Sequence, residues 1–371
     1  LGLTEAETDT VAWLVRHHLV LSDYAQKRDV RDPDTVASFA RIVETPERLR
    51  LLLVLTVADI RAVGPGVWNG WKGQLMRELY AATEAAFRGG RGHDPAASVR
   101  AELHHRAREI RSHLPGKDTD LTHWLGVMED AYLCSFSEAD LRRHARIVTD
   151  ATVAGARAES WIDPARNAAA LVVATRDRPG LFADLAGIFA PLGASVVGAQ
   201  VYTSHDGWAL DVFYVQDQAG DPFGADAPER LAEAVSRLET AALGLSASKG
   251  EDASETRPLP PRLAAFAIAP TVMFDSEASD RATVVEVSGR DRPGLLAELA
   301  RVLARSGLSI ESAHIGVYGE RAVDAFYLVD PRTPKPWPRG YRQALRAALT
   351  EVLDPPLSGP ELVRARASRA E

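Results

Sequence analysis

The sequence predicts a multidomain chain: an all-α front part followed by two α+β units of βαββαβ order. Three observations carry that expectation. Apolar residues recur at helical spacing, behind good capping residues, through residues 1–88 and again through 98–155. Near residue 168 the pattern switches to short β-rich runs separated by turn residues. Finally, "RDRPGLFADLAGIFA" from Arg176 returns as "RDRPGLLAELARVLA" from Arg290, 114 positions later. A core helix needs an apolar stripe but not an identical Asp-Arg-Pro-Gly entry. The repeat therefore encodes a twice-used fold unit, a twice-used binding loop, or both.

The front part begins with Thr4 three residues before Glu7, the spacing of a capping box. Val11, Leu14, Val15 and Leu19 follow the helical period and define the expected inward face, which His18 shares and His17 does not. "DPDTVASFARIV" and "TPERLRLLLVLTVADI" each open on a capping residue with Pro in the first turn, where a missing N–H is harmless. "GPGVWNGWKGQLMRELYAATEAAF" reads as a glycine-broken turn leading into a helix, and "RGGRGHDPAAS" as a loop. Residues 98–155 are helical with a break at "LPGKDTD".

In the first copy a β-rich run leads through the loop to a helix striped by Leu181, Leu185, Ile188 and Phe189. Two strands around the Asp206-Gly207 turn follow, then a helix with Leu231, Val235, Leu238 and Ala242 on one face. The second copy has the stripe Leu295, Leu299, Val302 and Leu303, the same "D-x-F-Y" strand, and "YRQALRAALTEVL" as its later helix. Gly193 and Gly307 sit where each first helix needs a left-handed cap. The fourth strand of the first copy is expected at "PTVMFD", from Pro270, and that of the second at "ELVRARAS".

Composition narrows the function. The apolar fraction of 46% and charged fraction of 25% are those of a globular protein. A net charge of −8 and a pI near 5.8 argue against nucleic acid or an anionic membrane as partner. The run "LRLLLVLTVADI" is too short to span a bilayer. A single cysteine, Cys134, excludes a disulfide framework and suggests a reducing, cytoplasmic setting; as a thiol it is expected to be structural. The chain opens at Leu1, inside a helical pattern and without Met, which suggests a fragment.

The doubled loop has the chemistry of a ligand site. Pro179 and Pro293 fix φ near the helix start, and Gly180 and Gly294 let a ligand approach backbone. Free N–H groups there favour a carboxylate, while Asp177 and Asp291 would accept from an ammonium, so the loop matches an amino-acid zwitterion. The alternative is that these Asp residues only cap their helices. No G-x-G-x-x-G supports a nucleotide reading. With this loop at each first strand-to-helix junction, residues 168–360 resemble tandem ACT domains, modules that sense amino acids. That resemblance implies ligand roles for Asp177, Arg178, Gly180, Asp291, Arg292 and Gly294. Glu311 and His314, against Val197 and Gln200 in the first copy, favour the second copy as the binder.

Asp59, at the end of "LLLVLTVADI", is expected to need a partner if buried, and Arg61 is a near candidate. Together "TVAWLVRHHLVLSDYAQKRDVRDP" and "PERLRLLLVLTVADIRAVGPGVWNGWKGQLMRELYAATE" resemble the C-terminal half of the HD hydrolase domain in the family of bifunctional uridylyltransferase/uridylyl-removing enzymes. An HD domain followed by two ACT domains is that family's order. The resemblance implies a divalent metal, Mg or Mn, with Asp59 and His18 among its ligands and in the catalytic site. Metal-bound water would attack a uridylyl phosphodiester. It further implies PII signalling protein as partner, UTP and UMP as substrate and product, and glutamine as effector.

The family's His-Asp doublet would precede Leu1. His93-Asp94 and His205-Asp206 lie in a loop and a hairpin turn and are not substitutes, and nothing around His104-His105 suggests metal. No paired Asp behind Gly-Ser marks a nucleotidyltransferase site. The expected units are thus a partial HD-type helical domain at 1–115, a helical linker at 116–165, and ACT domains at 166–279 and 280–371. The linker, with "SFSEADLRRHARIVTDATVAGARAES", would couple them as a rigid arm. The rival is a non-enzymatic ACT sensor acting through protein contacts. A single-ACT alarmone hydrolase fits less well, because no synthetase motif is seen.

Overall fold

A computed structural model describes residues 2–30, 32–63, 70–88, 95–245, 268–279, 281–318 and 321–354. The front part is helical: α1 Glu5–His17, α2 Val20–Lys27, α3 Pro33–Val43, α4 Pro46–Val63, α5 Gly70–Phe87 and α6 Pro95–His113. Three further helices, α7 Thr119–Val127, α8 Asp130–Ser135 and α9 Glu138–Ala154, lead to the sheet. The capping predictions hold. Thr4 and Glu7 form the reciprocal box, Asp32 accepts from the Asp34 N–H with Pro33 behind it, and Thr45 accepts from the Arg48 N–H.

The face expected from Val11, Leu14, Val15 and Leu19 holds only at Leu14, which packs against the core. Val11, Val15 and Leu19 are 48, 66 and 54% exposed, whereas Trp13 is buried against Leu21, Phe39, Val43 and Leu52. The core lies on the Trp13 side because Trp13 offers the largest apolar surface of α1, stacked on His17 and covered by the Arg48 guanidinium.

The rear part is an eight-stranded sheet of β1 Ala156–Asp163, β2 Ala168–Arg176, β3 Ser195–Thr203, β4 Trp208–Gln216, β5 Thr271–Asp275, β6 Thr283–Arg290, β7 Ser309–Tyr318 and β8 Arg321–Val329. Its order is β1-β2-β4-β3-β7-β8-β6-β5, with every neighbouring pair antiparallel. Four helices, α10 Leu181–Ala186, α11 Pro228–Ala242, α12 Leu295–Arg305 and α13 Arg339–Leu353, cover one face. All eight predicted stripe residues of α10 with its following turn and of α12 are buried there.

The two α+β units are present, but their fourth strands are placed differently from expectation. β5, expected to close the first unit, pairs with β6 of the second. The first unit is completed by β1, which pairs with β2 within residues expected to be a helical linker. Each unit therefore runs ββαββα, with the edge strand first. The expected closing strand at "ELVRARAS" lies outside the described residues, as do most of "GPGVWNGW" and His93-Asp94.

The units join edge to edge within one chain. Ala199 of β3 lies opposite Ala313 of β7, its own equivalent 114 positions on, so a local two-fold axis passes through this pair. A β-bulge follows the same symmetry, at Val196/Gly198 and Ile310/Ser312.

Candidate functional site

The doubled loops sit at the ends of β2 and β6, each entering a helix through a left-handed glycine, Gly180 at φ 80° and Gly294 at φ 85°. These glycines are the N-caps, and neither helix receives a side-chain cap bond. Capping is therefore not what Asp177 and Asp291 do. Asp177 is exposed and anchored through its backbone, whose N–H donates to the Gly207 carbonyl at 3.1 Å. Asp291 is half-buried; burial raises its pKa against the opposing effect of the Arg292 N–H and charge.

The loop arginines act as staples. Arg178 pairs with Asp184 of α10 at 2.7 Å and donates to the Ala241 carbonyl at the end of α11. Arg292 grips Glu298 of α12 through both terminal nitrogens and donates to the Val352 carbonyl of α13. Each thus ties its loop to both helices of its unit, through a carbonyl in the last turn of the second. A cleft of about 480 Å³ between α12 and α13 is lined by Arg292, Glu298, Arg305 and Glu351.

Beneath each loop lies an acid that sequence reasoning did not single out. Asp211 of β4 and Asp324 of β8, the Asp of each "D-x-F-Y" strand, are both only 2% exposed. Side chains alternate along a strand, so Asp211 shares its face with the core residues Ala209, Phe213 and Val215, under α10 and α11. Burial raises the Asp324 carboxyl to about 8, with the nearby Asp291 charge adding to it, and Asp324 accepts a long bond from the Gly316 N–H at 3.4 Å. Asp211 is pushed well up by burial and by the charge of Asp177, and neither of its oxygens has a hydrogen-bond partner. The available signal was an acid recurring at an inward position of two otherwise apolar strands.

Glu311 and His314 do not join either loop. Glu311 meets Arg281 at 3.5 Å, and His314 Nε2 lies 3.7 Å from the Asp29 carboxylate of the front part. They belong to a polar junction in which the Tyr327 hydroxyl accepts from the Asp29 N–H at 2.6 Å and bonds Thr35 at 3.3 Å. Arg28 pairs there with Asp275 at 3.2 Å, and Ser279 donates to Asp32, whose carboxyl burial raises to about 6.

The expected metal residues are on neighbouring helices but do not make a complete donor set. Asp59 is exposed on α4, so the expectation that burial demands a partner for it does not hold. His18 follows α1, with Nδ1 2.9 Å from the Val15 carbonyl, and its own carbonyl accepts from Thr56, three residues before Asp59. Among the described residues no group of three or more His, Cys, Asp or Glu could hold a metal ion. Two donors alone do not fit a hydrolytic metal centre, which takes about three protein ligands and an open position.

The other tempting residues have local roles. His104 pairs with Asp130, Asp206 bonds Ser204 and His123, and Cys134 is half-buried with its pKa raised by burial.

Known proteins place these features in context. The family model of the ACT domain matches residues 169–222 and 283–336, one match for each repeat. A bifunctional uridylyltransferase/uridylyl-removing enzyme of Phenylobacterium zucineum is 57% identical over 95% of this chain, but the match covers 37% of that protein. The enzyme of the same name from Caulobacter vibrioides is 54% identical over the whole chain and 40% of its own length, and that of Gluconobacter oxydans 43% identical over 89% and 35%. The chain thus spans well under half the length of these relatives. It is a homologue of the bifunctional uridylyltransferase/uridylyl-removing enzymes, with two ACT domains paired in one sheet as its rear part.

Proposed function

We propose that this chain is the amino-acid-sensing portion of an enzyme that adds UMP to the PII signalling protein, using UTP, and removes it again, and that glutamine is the sensed effector. The observation that carries the sensing role is the same arrangement built twice: a stapled Asp-Arg-Pro-Gly loop ending over a buried carboxylate. Burial makes both acids costly to ionise where they lie, and an amino acid's ammonium, with its charge and three donors, would offset that cost. The relatives' name supports the uridylyl chemistry at the level of the longer protein. His18 and Asp59 would be two ligands of its Mg or Mn, and no step of the hydrolysis is derived from two donors.

Glutamine must bind one arrangement of the domains better than another if it is to choose between activities. The polar junction of α2 and α3 with β7 and β8 suits that role, because its hydrogen bonds can be exchanged for water at modest cost. Titration calorimetry of this chain with glutamine tests the proposal. Saturable heat from glutamine is expected, and silence towards glutamine alongside binding of another amino acid would reassign the effector. A sensor acting only through protein contacts is the second reading, for which the joining of the front part to the second unit through Asp29, Thr35 and Tyr327 speaks. Metal-dependent release of UMP from uridylylated PII by this chain would exclude it.

A further inference from the structure

The helical front part has an apolar core of its own. Trp13, Leu21, Phe39, Leu52, Met76 and Leu79 share one buried cluster, all of whose members lie between residues 13 and 87. The clusters on the two faces of the sheet begin at Ala107 and contain nothing from α1 to α5. Among the described residues, then, no buried apolar cluster spans α1 to α5 and the sheet.

Hydrogen bonds and ion pairs cross that boundary at two separate places among the described residues. On the second unit, Arg28, Asp29, Asp32 and Thr35 meet Asp275, Ser279, His314 and Tyr327. On the first unit, Glu78 of α5 pairs with Arg166 of the β1–β2 turn at 2.7 Å. Arg166 is held in turn by Asp163 at 2.9 Å and lies over the Tyr214 ring. Such bonds can be exchanged for water, whereas parting an apolar face exposes area.

Helix α6 links the two bodies. It packs on α3 and α5, with Arg100 near its start paired to Asp34 at 2.9 Å. Its far end is seated by Ala107 and Ile110 in the cluster of Trp124 and Tyr132, with Arg111 donating to the Leu125 and Met128 carbonyls. A helix of 19 residues is about 28 Å long, so a slight pivot at the seated end moves the other by several ångströms. We propose that the front part swings off the sheet as one body about the seated end of α6, opening the face that Asp29 and Thr35 share with His314 and Tyr327. The swing stands on the packing alone and does not require the loops to bind an effector.

Thiol-labelling rates in the folded state test this, because they detect openings too rare to see in a static average. With Cys134→Ser as background, Thr35→Cys places a thiol in the shared face and Val43→Cys one in the front core; Thr35 is 2% exposed and Val43 fully buried. The thiol introduced at Thr35 should react at least about tenfold faster than that at Val43, since undocking leaves the front core closed. Glu78→Ala, which cuts the tie to the first unit, should speed labelling at Thr35 by about fivefold and at Val43 by less than about twofold. His314→Cys reads the same opening from the sheet side, and serves if Thr35→Cys does not fold. Equal rates at the two depths would mean that the front part leaves the sheet only by unfolding, and would overturn the proposal. So would labelling of the shared face that ignores Glu78→Ala, because a tie on the other unit can reach it only if the body moves as one.

Discussion

The two ACT units present the same outer sheet face to the rest of the molecule, yet it is covered in opposite ways. Over the first unit, α7 to α9 close an aromatic core. Tyr132 is fully buried, accepts from the Trp124 indole at 2.9 Å, and packs against Phe136, His144 and Tyr202. His144 is correspondingly kept neutral, with burial lowering its pKa to about 3. Over the second unit the apolar contribution is small, Ala282, Val284, Ala325 and Tyr327, and the contact with α2 and α3 is made by Asp29, Asp32, Thr35, His314 and Tyr327. An apolar, interlocked face resists rearrangement, because separating it exposes area to water. A polar face can come apart and satisfy its groups with water. The difference teaches which side of the sheet is scaffold and which can report a change.

Breaking the scaffold side should have the largest effect. Tyr132→Ala removes a buried ring and leaves Trp124 and His144 without their partner, and should destabilise the chain by about 3–5 kcal/mol in urea unfolding. Next comes the buried acid of the second unit. The Asp324 carboxyl has an ordinary pKa of 3.8 and one of about 8 in the fold, so its contribution is full below about pH 4 and is lost as pH rises towards 8. Asp324→Asn should therefore gain stability over the parent at pH 8 and gain little at pH 4, which thermal melts at the two pH values would show. Asp32, raised to about 6, adds a loss in the same direction as pH rises through 6.

On the reporting side the effects are smaller. Tyr327→Phe takes the acceptor from the Asp29 N–H and the partner from Thr35, and should cost about 1–2 kcal/mol. Amide exchange should then speed up in α2 and α3 and not in α9. Arg281→Ala removes an exposed guanidinium paired with Glu129 and Glu311, and should change stability by less than about 0.5 kcal/mol. If Arg281→Ala proved as damaging as Tyr132→Ala, the contrast between the two faces would be wrong.

What could be read from the sequence was what is decided locally. The Thr4 and Asp32 caps, the stripes of the first helices and the glycines Gly193 and Gly307, at φ 66° and 77°, depend on neighbours a few residues away. The doubled loop announced two units, one for each match of the ACT family model. The strand β1 was missed because "ARAESWID" continues the charged, alanine-rich look of α9, and Gly155, at φ 85°, is the one residue that marks the break. The membership of β5 was not local either: "PTVMFD" is adjacent in sequence to both units, and its partner is chosen by which sheet edge is open to it.

Within the site, Asp177 and Asp291 were legible from their place in a repeated loop. Asp211 and Asp324 were not singled out: the one signal was an acid recurring in two otherwise apolar strands, and its burial depends on helices distant in sequence. The front of the chain shows the same limit. Helical period identified an apolar stripe at Val11, Val15 and Leu19, but not that the core among the described residues lies on the Trp13 side.

An amino acid seated at the doubled loops should be felt at the polar face of the second unit. The most direct measurement is amide hydrogen exchange of the whole chain with and without saturating glutamine. Slower exchange is expected in the loop from Arg176 to Gly180, in its counterpart from Arg290 to Gly294, or in both, together with a changed rate in α2, α3 and β8, while α9 stays as it was. No protection in either loop, or a change at α9 with none at α2 and α3, would contradict it.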